Sequence, residues 1–155
     1  MTPLFIHQHH FDSFFASINT DYSCFDVTRL PGAVWPNLYM VQVAGRALVV
    51  TLVGEEIRRI FARDLRGADL RSVTHGPNAE SVSRGYDQAI DEQKRVLMRR
   101  VVHFKDREIT RIVECGFAPL VKDGTVVRII GCLFASAVVF GHAEYETDDF
   151  QMVEV

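Results

Sequence analysis

Apolar residues recur at helical spacing from the first turn onward: Leu4, Phe11, Phe14, Phe15 and Ile18 share one stripe of the opening segment. Thr2 followed by Pro3 supplies a capping hydroxyl and a residue suited to the first helical position, so the pattern predicts an amphipathic helix from about Pro3 to Asn19. The periodicity then stops. From Thr20 to Asn37 the chain carries Pro31, Gly32 and Pro36, which predicts a connecting segment with one short helical turn around Asp26 to Leu30. Val- and Leu-rich runs at Leu38 to Ala44 and Arg46 to Val53, separated by Gly45, predict a hairpin. Gly54-Glu55-Glu56 opens a short helix with Ile57, Ile60 and Phe61 on one side, followed by a loop from Asp64 to Val73. The clearest helix runs from Pro77 to about Lys94, with Val82, Tyr86, Ala89 and Ile90 as its apolar stripe.

Three longer strands complete the pattern: Val96 to Phe104, Ile109 to Ala118 and Thr125 to about Val139. The turn Lys105-Asp106-Arg107-Glu108 joins the first two, and Lys122-Asp123-Gly124 is a strong hairpin signal between the second and third. The order helix, two strands, two helices, three strands predicts an α+β domain, a five-stranded antiparallel sheet with helices in the crossover and an N-terminal amphipathic helix. Strand parity adds one inference. In the last strand Val127, Ile129, Leu133 and Ala135 lie on one face, while Ile130, Cys132 and Phe134 share the other with Arg128, so both faces need cover. The Phe-rich first helix has a suitable side, supplied by the same subunit or by a neighbour. The division is thus an N-terminal helix over 1–20, a folded domain over 21–140 and a tail over 141–155. That tail has five acidic residues between Glu144 and Val155 and no lysine or arginine, and reads as mobile.

A chain of 155 residues with 48% hydrophobic and 24% charged residues has ordinary globular composition and is long enough for one core. Cys24, Cys115 and Cys132 fit neither a disulfide framework nor a zinc pattern, which suits a reducing cytoplasm. The N-terminus lacks a basic stretch followed by an apolar run, and no segment approaches the ~18 apolar residues of a membrane span. The reading is a cytoplasmic protein without membrane insertion. A formal net charge of −3 provides no basic field for nucleic acid.

With the elements in place, Pro36-Asn37-Leu38-Tyr39-Met40-Val41-Gln42-Val43, then Val53-Gly54-Glu55-Glu56-Ile57 and Phe61-Ala62-Arg63-Asp64-Leu65-Arg66-Gly67, resemble the short bacterial PAS-like proteins common in alphaproteobacteria. Glu114, Pro119-Leu120, Asp123-Gly124 and Gly131 extend the match, which covers roughly Phe25 to Ala135. The resemblance implies a PAS fold and a sensory or partner-binding role in signal transduction, and it carries no catalytic residues. It departs from the flavin-binding branch, because no cysteine lies in an Asn-Cys-Arg-Phe-like motif on the central helices.

His7, His9 and His10 form an incomplete metal-ligand set and read as the polar face of the first helix. Haem would need a histidine on the Pro77 to Lys94 helix, which has none; His75 lies just before it. Neither a metal nor any cofactor is called for. Glu114 with His103 or Tyr86 could make an acid/base site, but Arg99, Arg100, Arg111 and Arg128 favour a structural ion pair. Cys115 and Cys132, in apolar strands, read as packing groups.

The leading functional reading is a sensory or protein-interaction module rather than an enzyme. Ile57, Phe61, Val82, Tyr86 and Ile90 would bound a cavity for a small apolar ligand. Phe11, Phe14, Phe15 and Ile18 would cover the outer sheet face and contribute to a homodimer interface. A sensor kinase or another signalling protein is the partner suggested by fold-level analogy. The alternative is a small enzyme on a related α+β cone, whose mark would be an unpaired carboxylate in an apolar cavity.

Overall fold

A computed structural model describes residues 5–74, 78–104, 106–138 and 150–154, the last of these by backbone together with the Met152 side chain. The proposed helix start at Thr2 and Pro3, His75, Pro77 and residues 141–149 of the tail lie outside the described residues.

Six antiparallel strands form one sheet in the order β2-β1-β5-β4-β3-β6. They are β1 (Leu38–Ala44), β2 (Ala47–Val53), β3 (Val96–Phe104), β4 (Ile109–Lys122), β5 (Thr125–Ala135) and β6 (Phe150–Glu154). The first five make the five-stranded antiparallel sheet expected from the pattern, with α2 (Glu55–Phe61), α3 (Leu70–Val73) and α4 (Ala79–Asp91) in the crossover between β2 and β3. Turn chemistry fixes the β4–β5 hairpin. Asp123 and Gly124 have φ of 52° and 78°, and they join Lys122 directly to its partner Thr125, the two-residue geometry that Asp-Gly favours.

Two apolar layers sandwich the sheet. On the inner face Tyr39, Val41, Val50, Met98, Phe117 and Ile129 pack against Ile57 of α2 and Val82, Tyr86 and Ala89 of α4. On the outer face Leu97, Leu120, Ile130, Cys132 and Phe134 pack against α1 (Gln8–Ala16). The parity of β5 assigns these faces, with Ile129 inward and Ile130, Cys132 and Phe134 outward. Phe11, Phe14, Phe15 and Ile18 are all buried in the outer layer within the same subunit. Gly116 permits this close approach, since a Cβ there would lie 2.9 Å from the Phe11 ring and 3.1 Å from that of Phe15.

Four local expectations need correction. The first helix begins at Gln8, with His7 as its N-cap, rather than near Pro3. The stretch from Asp64 to Val73 includes α3, because the Asp69 side chain accepts from the Arg71 amide and caps a helical turn. Gly32–Asn37 is a 3-10 turn. The acidic tail does not stay apart from the domain at its end: Phe150–Glu154 add to the free edge of β3, with Met152 opposite Met98. No helix among the described residues is long and apolar enough to cross a membrane.

Candidate functional site

A cavity of about 200 Å³ lies between the inner sheet face and the crossover helices. Its walls follow from the capping and packing of three short elements. α2 starts at Gly54, where a Cβ would collide with the Pro36 carbonyl, so a glycine lets this helix close against the preceding 3-10 turn. α3 is pinned to β2 by Asp69, which accepts from the Leu48 amide at 3.0 Å. Arg71 of α3 then reaches three ways, to the Arg46 carbonyl at 2.6 Å, to the Ser83 hydroxyl and to the Asp87 carboxylate at 2.5 Å. That single guanidinium ties the β1–β2 hairpin to α4. Gly85 brings α4 down onto the Met98 side chain.

Of the residues expected to bound the cavity, Ile57, Phe61, Val82 and Tyr86 line it. Ile90 does not. It packs at the margin of the inner core, because the buried face of α4 centres on Val82, Tyr86 and Ala89 and turns Ile90 to one side. The sheet supplies the rest of the lining, including Tyr39, Val50, Met98, Arg100 and Cys115, and Arg63 and Thr74 complete the polar groups. None of the described lining residues is acidic.

The polar groups are specific in placement. Tyr39 and Tyr86 hydroxyls are hydrogen bonded at 2.8 Å, and the Tyr86 ring stacks on Phe117 at 4.3 Å between centroids. Burial pushes both phenols well above their usual range. Burial also raises the Cys115 thiol to about 11, which keeps it protonated and unreactive at neutral pH. The Tyr39 ring lies over Gly131, its partner on β5, where a Cβ would overlap it. The sequence offers Arg100 only as a candidate partner for Glu114 and Tyr39 only as part of the family-like run; the structure places both on the cavity lining.

The acid/base grouping of Glu114 with Tyr86 or His103 is not assembled. Tyr86 lies on the inner side of the sheet, whereas Glu114 is fully buried in the outer layer. There it accepts from Arg99 Nε at 2.9 Å, from the backbone amides of Ile6 and His7 at 2.9 Å each, and pairs with His7 Nδ1 at 2.8 Å. His103 instead contacts the Thr110 hydroxyl at 3.0 Å. Burial pushes the Glu114 carboxyl up, but hydrogen bonds from the His7 ring, the two amides and Arg99 outweigh it, so the group titrates below its ordinary value. The three histidines are not simply a solvated polar face. The His7 and His10 rings stack on Phe134 at 4.8 and 5.0 Å, while His9 is exposed, and no cluster of metal-ligating groups occurs among the described residues.

No protein-family model and no curated protein matches the sequence. The fold does match solved structures. A light-oxygen-voltage domain studied with a flavin analogue superposes with a TM-score of 0.55 at 11% identity, covering 68% of this chain and 80% of that one. The Rhodobacter sphaeroides LOV protein gives 0.55 at 12% identity over 90% of this chain and 73% of its own. A fungal LOV domain photoreceptor gives 0.55 at 13% identity over 79% and 86%. The chain therefore has the PAS/LOV α+β fold.

A flavin does not fit the residues present. The volume of about 200 Å³ lies below the roughly 300 Å³ at which pockets for drug-sized ligands begin. The cysteine on the lining, Cys115, is on β4, and α2, α3 and α4 contain none.

Proposed function

We propose that this chain is a sensory module of signal transduction, of the short bacterial PAS-like type, that binds a small ligand between the crossover helices and the inner sheet face. The observation that carries the reading is the cavity itself: it is predominantly apolar, it sits under helices held by a few polar ties, and it has a small set of convergent polar groups. Occupancy would be communicated through α4 and the sheet to the outer face, where α1 covers the opposite layer. Output passes by association with a second copy or with a signalling protein such as a sensor kinase, in the cytoplasm. A homodimer using Phe11, Phe14, Phe15 and Ile18 requires exchange of α1 between copies, because all four are buried within one subunit. The rival enzyme reading would need a carboxylate in the cavity, and none of the described lining residues is one.

Native mass spectrometry of freshly purified protein tests the reading. A retained small molecule that disappears in a Val82→Trp variant, which fills the cavity, is the expected result. Failure to retain or take up any compound from a broad small-molecule panel, with wild type and variant alike, would overturn the ligand-binding part.

A further inference from the structure

We propose that the cavity selects a small carboxylic acid with an apolar ring or short chain, its carboxylate held by Arg100. This rests on the ligand-binding reading above and adds the chemical class of the ligand. The sequence Arg99-Arg100 on β3 places two guanidiniums on opposite faces of the sheet. Arg99 turns outward and meets Glu114 at 2.9 Å, whereas Arg100 turns inward and lines the cavity.

The two have different electrostatic circumstances. Arg99 is matched by a fully buried carboxylate. Arg100 is half-buried, and among the described residues it has no hydrogen-bond acceptor and no ion-pair partner. Guanidinium stays charged at any physiological pH, and partial burial of an uncompensated charge is unfavourable. The charge is felt across the cavity, where it pulls down the Tyr86 phenol and the Cys115 thiol against the upward push of burial. The second cation on the lining, Arg63, is exposed, and none of the described lining residues is an acid that would offset either one. An anion entering this space would supply the missing counter-charge.

A carboxylate on an apolar body fits this geometry. A planar carboxylate can take two parallel hydrogen bonds from one guanidinium. The Tyr39–Tyr86 pair uses one of its two hydroxyl protons internally, leaving the other to donate to a ligand oxygen. The remaining lining is dominated by Val50, Val53, Ile57, Phe61, Val82 and Met98. An apolar cavity of about 150 Å³ is enough for benzene. About 200 Å³ therefore admits one ring, or a chain of similar bulk, together with the acid group.

The test is titration calorimetry on the full chain with phenylacetate and octanoate, against their neutral isosteres phenylacetamide and octanamide. The acids should bind at least tenfold more tightly than the amides. Arg100→Gln should lose at least tenfold for the acids while leaving the amides within threefold. Arg100→Lys, which keeps the charge but not the fork, should fall between. Equal binding of acids and amides to the wild type would overturn the carboxylate assignment and leave the ligand-binding reading standing. Tighter binding of phenyl phosphate than of phenylacetate would overturn it in favour of a phosphate ligand. No binding of either acids or amides at millimolar concentration would overturn the carboxylate assignment, and the ligand-binding reading falls with it only where the broad panel fails too. The comparison on wild-type protein decides the issue even if the Arg100→Gln variant does not fold.

Discussion

His7 meets Glu114 twice, the backbone amide at 2.9 Å and the ring Nδ1 at 2.8 Å both lying on Oε1, although 107 residues separate the two in sequence. With the Ile6 amide and Arg99 on Oε2, the carboxylate caps the start of α1 from within the sheet. Helix N-termini favour negative charge, and α1 has no acidic residue of its own in the first turn and no side-chain cap. Glu114 supplies the negative charge and binds the two amides just before the first turn.

Replacing Glu114 with alanine should therefore loosen α1 selectively. Breaking a buried ion pair costs roughly 3–5 kcal/mol, and the low end applies because the His7 and Arg99 side chains keep 20% and 23% of their surface exposed. Denaturant unfolding should report a loss of about 3 kcal/mol. Amide exchange should accelerate first over Gln8–Ala16. Unchanged protection of that helix would show that the carboxylate does not hold it.

The same group gives stability a dependence on acid. A carboxyl whose folded pKa is depressed contributes stability that is fully present above its unfolded value and is lost as pH falls through the folded one. For Glu114 the loss should begin below its ordinary value of 4.5. Asp21, Asp26, Asp64 and Asp69 are also depressed, so the informative quantity is the difference between wild type and Glu114→Gln. That difference should shrink as pH drops below 4.5, measured by urea unfolding at a series of pH values. A difference independent of pH would mean that the charge of Glu114 is not what matters.

How much of this was readable beforehand depends on the range of the interaction. The strands of β1 and β3, the Asp123-Gly124 turn and the α2 helix follow from periodicity and local turn chemistry, and their bounds emerge nearly unchanged. The clamp on α1 could not be read, because it joins residues 107 positions apart in the chain. Arg100 was hidden for another reason: two adjacent arginines must point to opposite faces, but only the position of α1 decides which is outside. Ile90 was included in the α4 stripe because its spacing from Tyr86 is helical, yet rotation of the packed face turns it from the cavity. The end of the acidic tail misled through composition. Strand addition is made by backbone groups, and these are indifferent to side-chain charge.

The buried hydroxyl pair should behave as a unit. Tyr39→Phe or Tyr86→Phe alone leaves the surviving hydroxyl without its 2.8 Å partner, whereas the double variant removes both groups. Each single change should cost about 1–2 kcal/mol, and the double should cost about 1 kcal/mol less than the sum. A double-mutant cycle in urea measures this directly. Strict additivity would mean that the two hydroxyls do not depend on one another.

Ala62 offers a gain. It ends α2 at φ 56°, ψ 29°, a left-handed conformation that is strained for a residue with a Cβ and relaxed for glycine. Ala62→Gly, at an exposed site, should raise stability by up to about 1 kcal/mol. A fall in the unfolding midpoint would indicate that unfolded-state entropy outweighs the relief of strain.

The outer face provides the test of association. Phe11, Phe14, Phe15 and Ile18 are at most 8% exposed, and fully burying each such side chain contributes roughly 1.5–3 kcal/mol. A nine-residue helix is marginal by itself, so most of its stability comes from this docking and from the Glu114 clamp. The same complementarity would serve equally well between copies, since an α1 that leaves its own sheet finds an identical site on a neighbour. The expected outcome in size-exclusion chromatography with light scattering is a dimer for the full chain, with loss of the dimer and lower stability or solubility for a chain beginning at Thr20. The truncation uncovers Leu97, Ile130 and Phe134, which are buried beneath α1. A monomeric full chain at micromolar concentration would eliminate the exchanged dimer while leaving α1 as a cover for its own sheet. A chain from Thr20 that stays soluble and equally stable would eliminate the covering role as well.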